Sequence, residues 1–332
     1  MDRIRWGVLG TAKIAQKELL PAFSRAENAT VTAIASRTKN QKAEEIAQHF
    51  DIEKVYDSYE ALLDDEEIDA VYIPLPNNLH KEWVIKAAEK GKHILCEKPA
   101  ALHAEEMAEM QTACEKHNVQ FVEAFMYRFH PQHERVKEII DSGEIGKVRF
   151  MRASFSFLLE SKTGSIKMNP QGGGSIYDVG CYGIHATRNI LRMEPESVFV
   201  QGIMDTKHHV DTAATGIMTF PDHVQAVFDA SFSMARRAEY EVIGEKGRVV
   251  VPRAFRPDWF EGQGIVDIET ESGTRRETIV ADQYKAEVEY ASKRVLENGG
   301  KGDMHFRDAI NNLRVITACL KSLRENKTIQ LN

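Results

Sequence analysis

Short apolar runs alternate with longer polar stretches in residues 1–125. Between most of these runs, apolar residues recur at helical spacing, as Ala43, Ile46 and Ala47 do in one of the stretches. Alternation of buried strands with helices is typical of βαβ units and of a mostly parallel sheet. Five strands are predicted here, at Ile4–Leu9, Val31–Ser36, Ala70–Ile73, His93–Cys96 and Gln120–Ala124.

The pattern changes after Ala124, where apolar runs follow one another across short turns such as Pro221-Asp222. Successive hairpins indicate an antiparallel sheet. We therefore predict two domains: an α/β domain with a parallel sheet in residues 1–125, and an α+β domain with a mainly antiparallel sheet in residues 126–332. The predicted strands of the second domain lie at 148–157, 198–203, 213–220, 224–232, 240–243, 248–251 and 265–269, and its helices at 131–142, 175–191, 283–297 and 306–325.

The length of the chain indicates two domains, and its charge argues against a nucleic-acid-binding function. A chain of 332 residues suits two domains. The 43 Lys and Arg residues are outnumbered by 50 Asp and Glu residues, and no basic run interrupts this acidic balance. A chain of this charge does not match the basic surfaces that bind phosphate backbones, so we expect no nucleic-acid partner.

Other features of the sequence argue against membranes, export and metals. No stretch approaches 18 uninterrupted apolar residues, and the chain starts directly on a predicted strand, so we expect a cytoplasmic protein without a membrane span. The cysteines are far apart and predict reduced thiols in or near the core. His208, His209 and Asp211 lack the usual spacing of tetrahedral ligands, and we predict no metal site.

The turn after the first strand has the order of a dinucleotide-binding motif. Gly10 occupies the first glycine position, while Ala12 and Ala15 occupy the second and third. In such a turn, small residues let a pyrophosphate approach backbone N–H groups at a helix N-terminus. An ordinary tight turn remains the alternative. The predicted cofactor contacts in this turn are Gly10, Thr11, Ala12, Lys13 and Ile14.

The end of the second predicted strand bears on the choice of cofactor. NAD-binding proteins usually place a carboxylate there, whereas this chain has Ser36, Arg37 and Lys39. Hydroxyls and cations suit a 2′-phosphate, so NADP is favoured and NAD stays possible. Solvated loop charges are the alternative. Pro74, Asn77 and His80, after the third predicted strand, complete the predicted cofactor contacts.

The segment HILCEKPAAL, residues 93–102, ends an apolar strand on two opposite charges and a proline. Strands of a doubly wound sheet deliver their carboxyl ends to the ligand crevice, so Glu97 and Lys98 are predicted at the cofactor site. Pro99 fixes the backbone after Lys98 and is compatible with a cis peptide bond. The alternative is a surface ion pair after an edge strand.

Three segments together resemble the Gfo/Idh/MocA family of oxidoreductases. The resemblance covers essentially the whole chain, and it implies an N-terminal Rossmann domain and a C-terminal open-faced, mainly antiparallel sheet that commonly forms an oligomer interface. It also implies redox chemistry on sugars, polyols or related hydroxy compounds. The three segments are Glu97-Lys98-Pro99, residues 123–131 (EAFMYRFHP) and residues 172–182 (GGGSIYDVGCY).

Tyr182 narrows the resemblance to one branch. It stands four residues after Asp178, where members similar to inositol dehydrogenases carry His, and members similar to glucose-fructose oxidoreductase, aldose 1-dehydrogenases and dimeric dihydrodiol dehydrogenase carry Tyr. A phenol can exchange a proton with a carbinol, and a cation such as Lys98 would favour its phenolate. The predicted catalytic residues are therefore Lys98, Tyr182 and Asp178. A core tyrosine and a capping aspartate are the alternative.

Four further residues are predicted to bind substrate: Tyr127, Arg128, His130 and His185. The first three follow the last strand of the parallel sheet, and His185 lies three residues after Tyr182. Packing and salt bridges are the alternative for the first three, and a core or surface position is the alternative for His185.

Assembly and function remain open at this point. Alternating apolar residues from Val224 to Ala230 suggest a sheet face that the chain does not cover, and together with the resemblance they predict a homodimer or homotetramer. The predicted function is NADP-dependent hydride transfer to or from a sugar, polyol or dihydrodiol. A redox-sensing regulator without turnover, and nicotinamide-assisted elimination or glycoside cleavage, are the alternatives.

Overall fold

Strand β1 (Ile4–Leu9) is buried along almost its whole length and forms the centre of a parallel sheet. The computed structural model describes residues 3–37, 41–297 and 304–331, so Lys39 lies outside the described residues. These residues divide into two compact units: Met1–Phe129 with Tyr284–Ile310, and His130–Gln283 with Asn311–Asn332. Each unit has its own sheet.

The sheet of the first unit has the strand order β3-β2-β1-β4-β5-β6, and every pair is parallel. This is the order of a Rossmann fold, as the sequence predicted. The elements are β1, a π-helical turn at Ala15–Leu19, α1 (Leu20–Arg25), β2 (Ala29–Ala35), α2 (Gln41–His49), β3 (Lys54–Tyr56), α3 (Tyr59–Leu63), β4 (Ala70–Ile73), α4 (Asn77–Glu89), β5 (His93–Glu97), α5 (Ala104–His117) and β6 (Phe121–Ala124).

The second unit contains a mixed sheet of the order β14-β13-β12-β11-β7-β10-β9-β8-β15, in which only β7 and β10 pair in parallel. The prediction of a mainly antiparallel sheet is confirmed. Its elements and the closing helices are α6 (Gln132–Asp141), β7 (Val148–Leu158), α7 (Cys181–Leu191), β8 (Ser197–Asp205), β9 (Val210–Thr219), β10 (Gln225–Ser231), β11 (Ser233–Gly244), β12 (Gly247–Val251), β13 (Gln263–Thr270), β14 (Gly273–Val280), α8 (Gln283–Leu296), α9 (Met304–Glu325) and β15 (Ile329–Gln330).

The domain prediction differs from these units at the carboxyl end. It assigned all of 126–332 to the second domain, whereas residues 126–129, 284–297 and 304–310 group with the first unit. Aromatic contacts hold them there: the rings of Phe121 and Phe306 stack with centroids 4.5 Å apart. The Trp6 indole N–H donates to Ser292 Oγ at 3.0 Å, which ties α8 to the central strand.

Helix α7 packs directly on the second sheet because glycines let it approach closely. A Cβ on Gly183 would lie 3.2 Å from the Cβ of Phe228 and 3.4 Å from that of Ala153. The prediction that Val224, Ala226, Phe228 and Ala230 form an uncovered face is wrong, because all four side chains are buried. The exposed apolar side chains of β8 and β9 include Ile203 and Ile217, at 62% and 45% exposure.

Two further expectations concern the cysteines and the membrane. All four cysteines are free and buried, as predicted. In the described part of the chain, no helix is long and apolar enough to cross a bilayer.

Candidate active site

The turn after β1 needs a glycine at its first position. Gly10 has φ +104°, and a Cβ there would lie 3.2 Å from Leu75 Cδ2 and 3.3 Å from Tyr59 Oη. Its N–H donates to Ala35 O at 2.8 Å, which joins the turn to the end of β2. The side-chain amide of Gln16 (Nε2) donates to Thr11 O at 2.8 Å and fixes the loop before the helix.

This turn fits a pyrophosphate. Helical backbone begins at Lys13, and the first N–H groups of a helix have no acceptor within it. Thr11, Ala12 and Ile14 are half-buried and Lys13 is exposed, so the turn is open to a ligand. The helix starts with π-helical geometry, a form that is frequent at functional sites. The residues predicted at 10–14 thus form a cradle that suits a dinucleotide.

Arg37 lies within electrostatic range of Tyr59, a residue that contacts the same turn. Burial raises the pKa of Tyr59, and the positive charge of Arg37 partly opposes that increase. The Arg37 guanidinium therefore acts electrostatically on the Tyr59 phenol. The hydroxyl of this phenol lies beside Gly10. Ser36 is buried, with its N–H donating to Tyr56 O at 3.1 Å. Arg37 itself is exposed and can reach a ligand at this edge.

His80 is not placed as a direct cofactor ligand. The side chain is fully buried, and its ring nitrogens lie 2.7 Å from Leu75 O and 3.0 Å from Pro99 O. Burial lowers the pKa of His80 to about 4, so the ring is neutral at pH 7. A neutral imidazole has one N–H, so the ring donates to one of these two carbonyl oxygens, in the loop after β4 or in the loop after β5. Of its predicted companions, Pro74 is buried, whereas Asn77, at the start of α4, is half-buried.

Strand β5 delivers Glu97 and Lys98 to the carboxyl edge of the parallel sheet. The Lys98–Pro99 peptide bond is cis. The hydroxyl of buried Tyr72 donates to Glu97 Oε1 at 2.7 Å, and Glu97 Oε2 accepts the Lys98 N–H at 3.3 Å. Tyr72 thus anchors the Glu97 carboxylate to the sheet. This fixed position favours a binding site over the alternative, a solvated ion pair between Glu97 and Lys98. Lys98 remains partly exposed.

Glu287 is a buried carboxyl group within electrostatic range of Glu97 that the sequence analysis missed. It is 1% exposed, and neither carboxyl oxygen has a hydrogen-bond partner among the described residues. Burial first, and then the charge of Glu97, raise the pKa of Glu287 well above its usual value, while Arg128 opposes the shift. A signal was present in the sequence, because Glu287 stands in the apolar stripe of α8 with Tyr284, Val288 and Ala291.

We expect Glu287→Gln to stabilise the protein at pH 8. A glutamate whose folded pKa is raised loses stability as pH rises above the unfolded value of 4.5, and glutamine does not. The free energy of unfolding at pH 8 should therefore be higher for Glu287→Gln than for the wild-type protein, and the difference should be smaller at pH 5. Urea unfolding at pH 5 and pH 8 measures it.

The matched control is Glu289→Gln on the same helix, where the carboxylate is half-buried and lies 3.5 Å from Lys285. This change should alter stability little at either pH. An equal effect of Glu287→Gln at pH 5 and pH 8 would contradict the assignment.

In the second unit, glycines before Asp178 let the backbone pass close to other segments of the same unit. A Cβ on Gly173 would lie 2.5 Å from Asn169 O and 2.6 Å from Lys167 O. Gly174 has φ +104°, and a Cβ there would clash with the carboxylate of Asp211. That buried carboxylate accepts from Ser175 Oγ at 2.5 Å and from Ile176 N–H at 2.8 Å, and so fixes the start of the helix.

Asp178 and Tyr182 lie on one continuous helical segment, but its geometry differs from the prediction. Ile176–Gly180 is π-helical, and α7 follows from Cys181. The two side chains are therefore not one α-helical turn apart, because the π-helix bonds i to i+5. Asp178 Oδ2 accepts from Lys167 Nζ at 2.5 Å, a partner that the sequence analysis did not identify.

Tyr182 stands against an aromatic wall within its unit. Its ring centroid lies 5.2 Å from Phe155 and 5.5 Å from Phe255, and the two phenylalanine rings stack at 5.6 Å. Tyr182 is 5% exposed. Apolar surroundings of this kind strengthen electrostatic effects on a phenol and exclude water.

The remaining predicted substrate ligands are mostly enclosed. His130 is fully buried, with Nε2 3.0 Å from Gly262 O and Nδ1 accepting from Gln132 N–H at 3.3 Å, so it braces its own loop and offers no free nitrogen. Tyr127 and His185 are also fully buried, which favours packing roles. Arg128 is partly exposed and lies 3.3 Å from Asp308. Within the described residues, no cluster of three metal-ligating side chains is found.

Comparison with known proteins assigns the family. The family model described as "Oxidoreductase family, NAD-binding Rossmann fold" matches residues 4–125. The model described as "GFO/IDH/MocA C-terminal domain" matches residues 133–250. The chain therefore belongs to the Gfo/Idh/MocA family of oxidoreductases, and the predicted resemblance is confirmed.

Relatives of 30% identity or more match three quarters or more of the chain. D-xylose 1-dehydrogenase (NADP(+)) 2 of Haloferax volcanii is 36% identical over 98% of this chain and 99% of its own. Trans-1,2-dihydrobenzene-1,2-diol dehydrogenase of Xenopus tropicalis is 32% identical over 75% of each chain. Among solved structures, a 3-ketoreductase from Actinomadura kijaniata in complex with NADP and TDP-benzene has a TM-score of 0.91 and 30% identity, and covers 97% of this chain and 98% of its own.

Proposed function

We propose that this protein is an NADP(H)-dependent oxidoreductase that acts on a carbinol or carbonyl carbon of a sugar, polyol or dihydrodiol. The observation that carries the proposal is the carboxyl edge of the first sheet, where the Gly10 turn, Arg37 and the anchored Glu97-Lys98 segment follow β1, β2 and β5. Ligands of doubly wound sheets bind at this edge. The relatives named for xylose and for a dihydrodiol, and the one solved with NADP, support the same chemistry.

Each residue then has a role that its surroundings suit. Backbone N–H groups of residues 11–14 bind the pyrophosphate, and Arg37 binds the 2′-phosphate. The nicotinamide accepts or delivers the hydride when bound. Tyr182 takes the proton from the carbinol oxygen or returns it, and Lys98 polarises that oxygen and favours the phenolate. Asp178, held by Lys167, orients the helical segment that carries Tyr182.

A substrate screen tests this function. Aldoses, polyols and dihydrodiols are offered with NADP and with NAD, and the absorbance of the reduced cofactor reports oxidation. Turnover of at least one of these classes, faster with NADP, is the expected result. Tight NADP binding without turnover of any of them would contradict the proposal and favour a redox-sensing regulator.

We also propose that the chain forms a homodimer through the exposed face of its second sheet. A row of paired residues crosses this face, from Phe199 through Ile217 to Val227, and then to Arg152 and Glu241. Ile217 is 45% exposed, and the Arg152 guanidinium lies 3.2 Å from the Glu241 carboxylate. An apolar patch flanked by charges is typical of an interface.

Sedimentation at micromolar concentration should therefore show a dimer or a tetramer. Ile217→Glu should shift the protein toward the monomer, because it buries a charge within the proposed interface. Ile166→Glu, at an exposed apolar side chain outside the sheet strands, is the control and should leave the assembly unchanged. A monomeric wild-type protein would refute the interface.

A further inference from the structure

A cationic aromatic edge lies in the second unit, formed by the segment between β12 and β13 together with Arg236 of β11. Trp259 belongs to a short 3₁₀ helix, Pro257–Phe260, and is half-buried. The guanidinium carbons of Arg236 and Arg256 lie 4.3 Å and 4.6 Å from the centroid of its ring. The guanidinium of Arg253 lies 3.9 Å from the centroid of the Phe260 ring. Three cations are thus stacked on two consecutive aromatic side chains.

These cations are not equally neutralised. Arg256 pairs with Asp258 at 2.7 Å, and Asp258 also accepts from Gln283 at 2.8 Å. Among the described residues, no carboxylate lies within ion-pair distance of Arg236 or Arg253. Arg236 is exposed, while Arg253 reaches only the backbone and side-chain oxygens of Gln263, at 3.4 Å. In a chain of net charge -7, this edge therefore keeps an uncompensated positive charge.

The edge connects to Tyr182 through ring contacts. The rings of Trp259 and Phe155 meet edge to face with centroids 6.4 Å apart, and Phe155 contacts Tyr182 at 5.2 Å. A substrate whose carbinol lies at Tyr182 would reach the half-buried Trp259 with a distal substituent that passes the rim of Phe155, which is 6% exposed. Stacking holds the guanidinium plane in place and leaves its N–H edge for a ligand.

We propose that the substrate carries an anionic group, a phosphate or a carboxylate, which Arg236 binds with help from Arg253. This inference rests on the proposed function and adds the charge of the substrate to it. Guanidinium groups bind both kinds of oxyanion through two parallel hydrogen bonds. Trp259 positions the guanidinium of Arg236. Neutral sugars would then be the weaker substrates.

Matched substrates test the charge. Oxidation of one aldose is compared with that of its 6-phosphate and its uronate, each with NADP. The anionic partner should have the lower KM, and Arg236→Gln should raise that KM by about 10- to 100-fold with kcat nearly unchanged. Arg236→Lys should restore part of the loss. The control is Arg276→Gln, at an exposed arginine of β14 that pairs with Asp267 of β13. It should change neither KM nor kcat.

A second readout does not need turnover. The chain has three tryptophans, and Trp6 and Trp83 are 1% and 7% exposed, so Trp259 should dominate the fluorescence response to a ligand at this edge. Inorganic phosphate or pyrophosphate should change the fluorescence of the wild-type protein, but not that of Trp259→Phe or Arg236→Gln.

The outcomes separate the two proposals. Turnover of the neutral aldose with equal KM for its anionic partners, and no fluorescence response, would overturn the anion site and leave the oxidoreductase function standing. A fluorescence response that Arg236→Gln abolishes, in a protein that oxidises none of the compounds, would support the anion site and count against the function. Preference for the 6-phosphate or for the uronate identifies the anion.

Discussion

We expect Tyr182→Phe and Lys98→Ala each to lower kcat/KM about 100-fold or more, the usual contribution of a positioned acid or base. Phenylalanine keeps the ring that packs on Phe155 and Phe255, so the loss should reflect the hydroxyl alone. NADP affinity should survive in both variants. Because both groups act on the same proton, the double variant should lose far less than the product of the two single losses.

The pH profile distinguishes chemistry from packing. Alcohol oxidation by the wild-type protein should fall as pH drops and the proton acceptor becomes protonated, and Tyr182→Phe should remove that limb. Tyr177→Phe, at a buried tyrosine of the same helical segment, and Lys90→Ala, at a lysine paired with Asp64, are the controls. Near-normal turnover of Lys98→Ala would refute the proposed mechanism.

The second expected result concerns Arg37. Arg37→Ala should weaken NADP binding by about 1.5 to 3 kcal/mol, the range for hydrogen bonds to charged groups, and should leave NAD binding nearly unchanged. Because Arg37 is exposed just after the end of β2, the loss should come from the 2′-phosphate contact and not from the fold. Titration calorimetry with both cofactors measures the difference.

Arg25→Ala is the matched control, since Arg25 is an exposed arginine at the end of α1 and donates to Pro21 O at 2.8 Å. It should affect neither cofactor. If Arg37→Ala weakened NADP and NAD equally, the guanidinium would have a structural role only, and the stated cofactor preference would need another source.

The sequence predicted both sheets because their central strands are apolar enough to stand out. It missed β3, whose three residues are half-buried or exposed and form no apolar run. It also missed β14, the edge strand of the second sheet, where Thr274, Arg275, Arg276 and Glu277 face mostly solvent. Edge strands carry polar side chains that protect them from further pairing, so hydrophobic periodicity does not reveal them.

The site was predicted less completely than the fold. Residues at strand ends, such as Gly10 and Lys98, could be located because parallel strands end at one edge of a sheet. The π-helical turns could not be found from a pattern of period 3.6. Asp211 lies 36 residues along the chain from Ser175, which it fixes, and Glu287 belongs to α8, far along the chain from Tyr72 and Glu97.

The return of α8 to the first unit bears on how the protein is made. Residues 1–129 leave the ribosome first, but the partners of Trp6 and Phe121 are Ser292 and Phe306, which are synthesised more than 150 residues later. The first unit therefore cannot complete its core until nearly the entire chain has been translated. Until then, part of its apolar surface stays accessible to chaperones. A translation product that stops after β14 would carry every predicted cofactor and catalytic residue and still lack the helix that closes its first sheet.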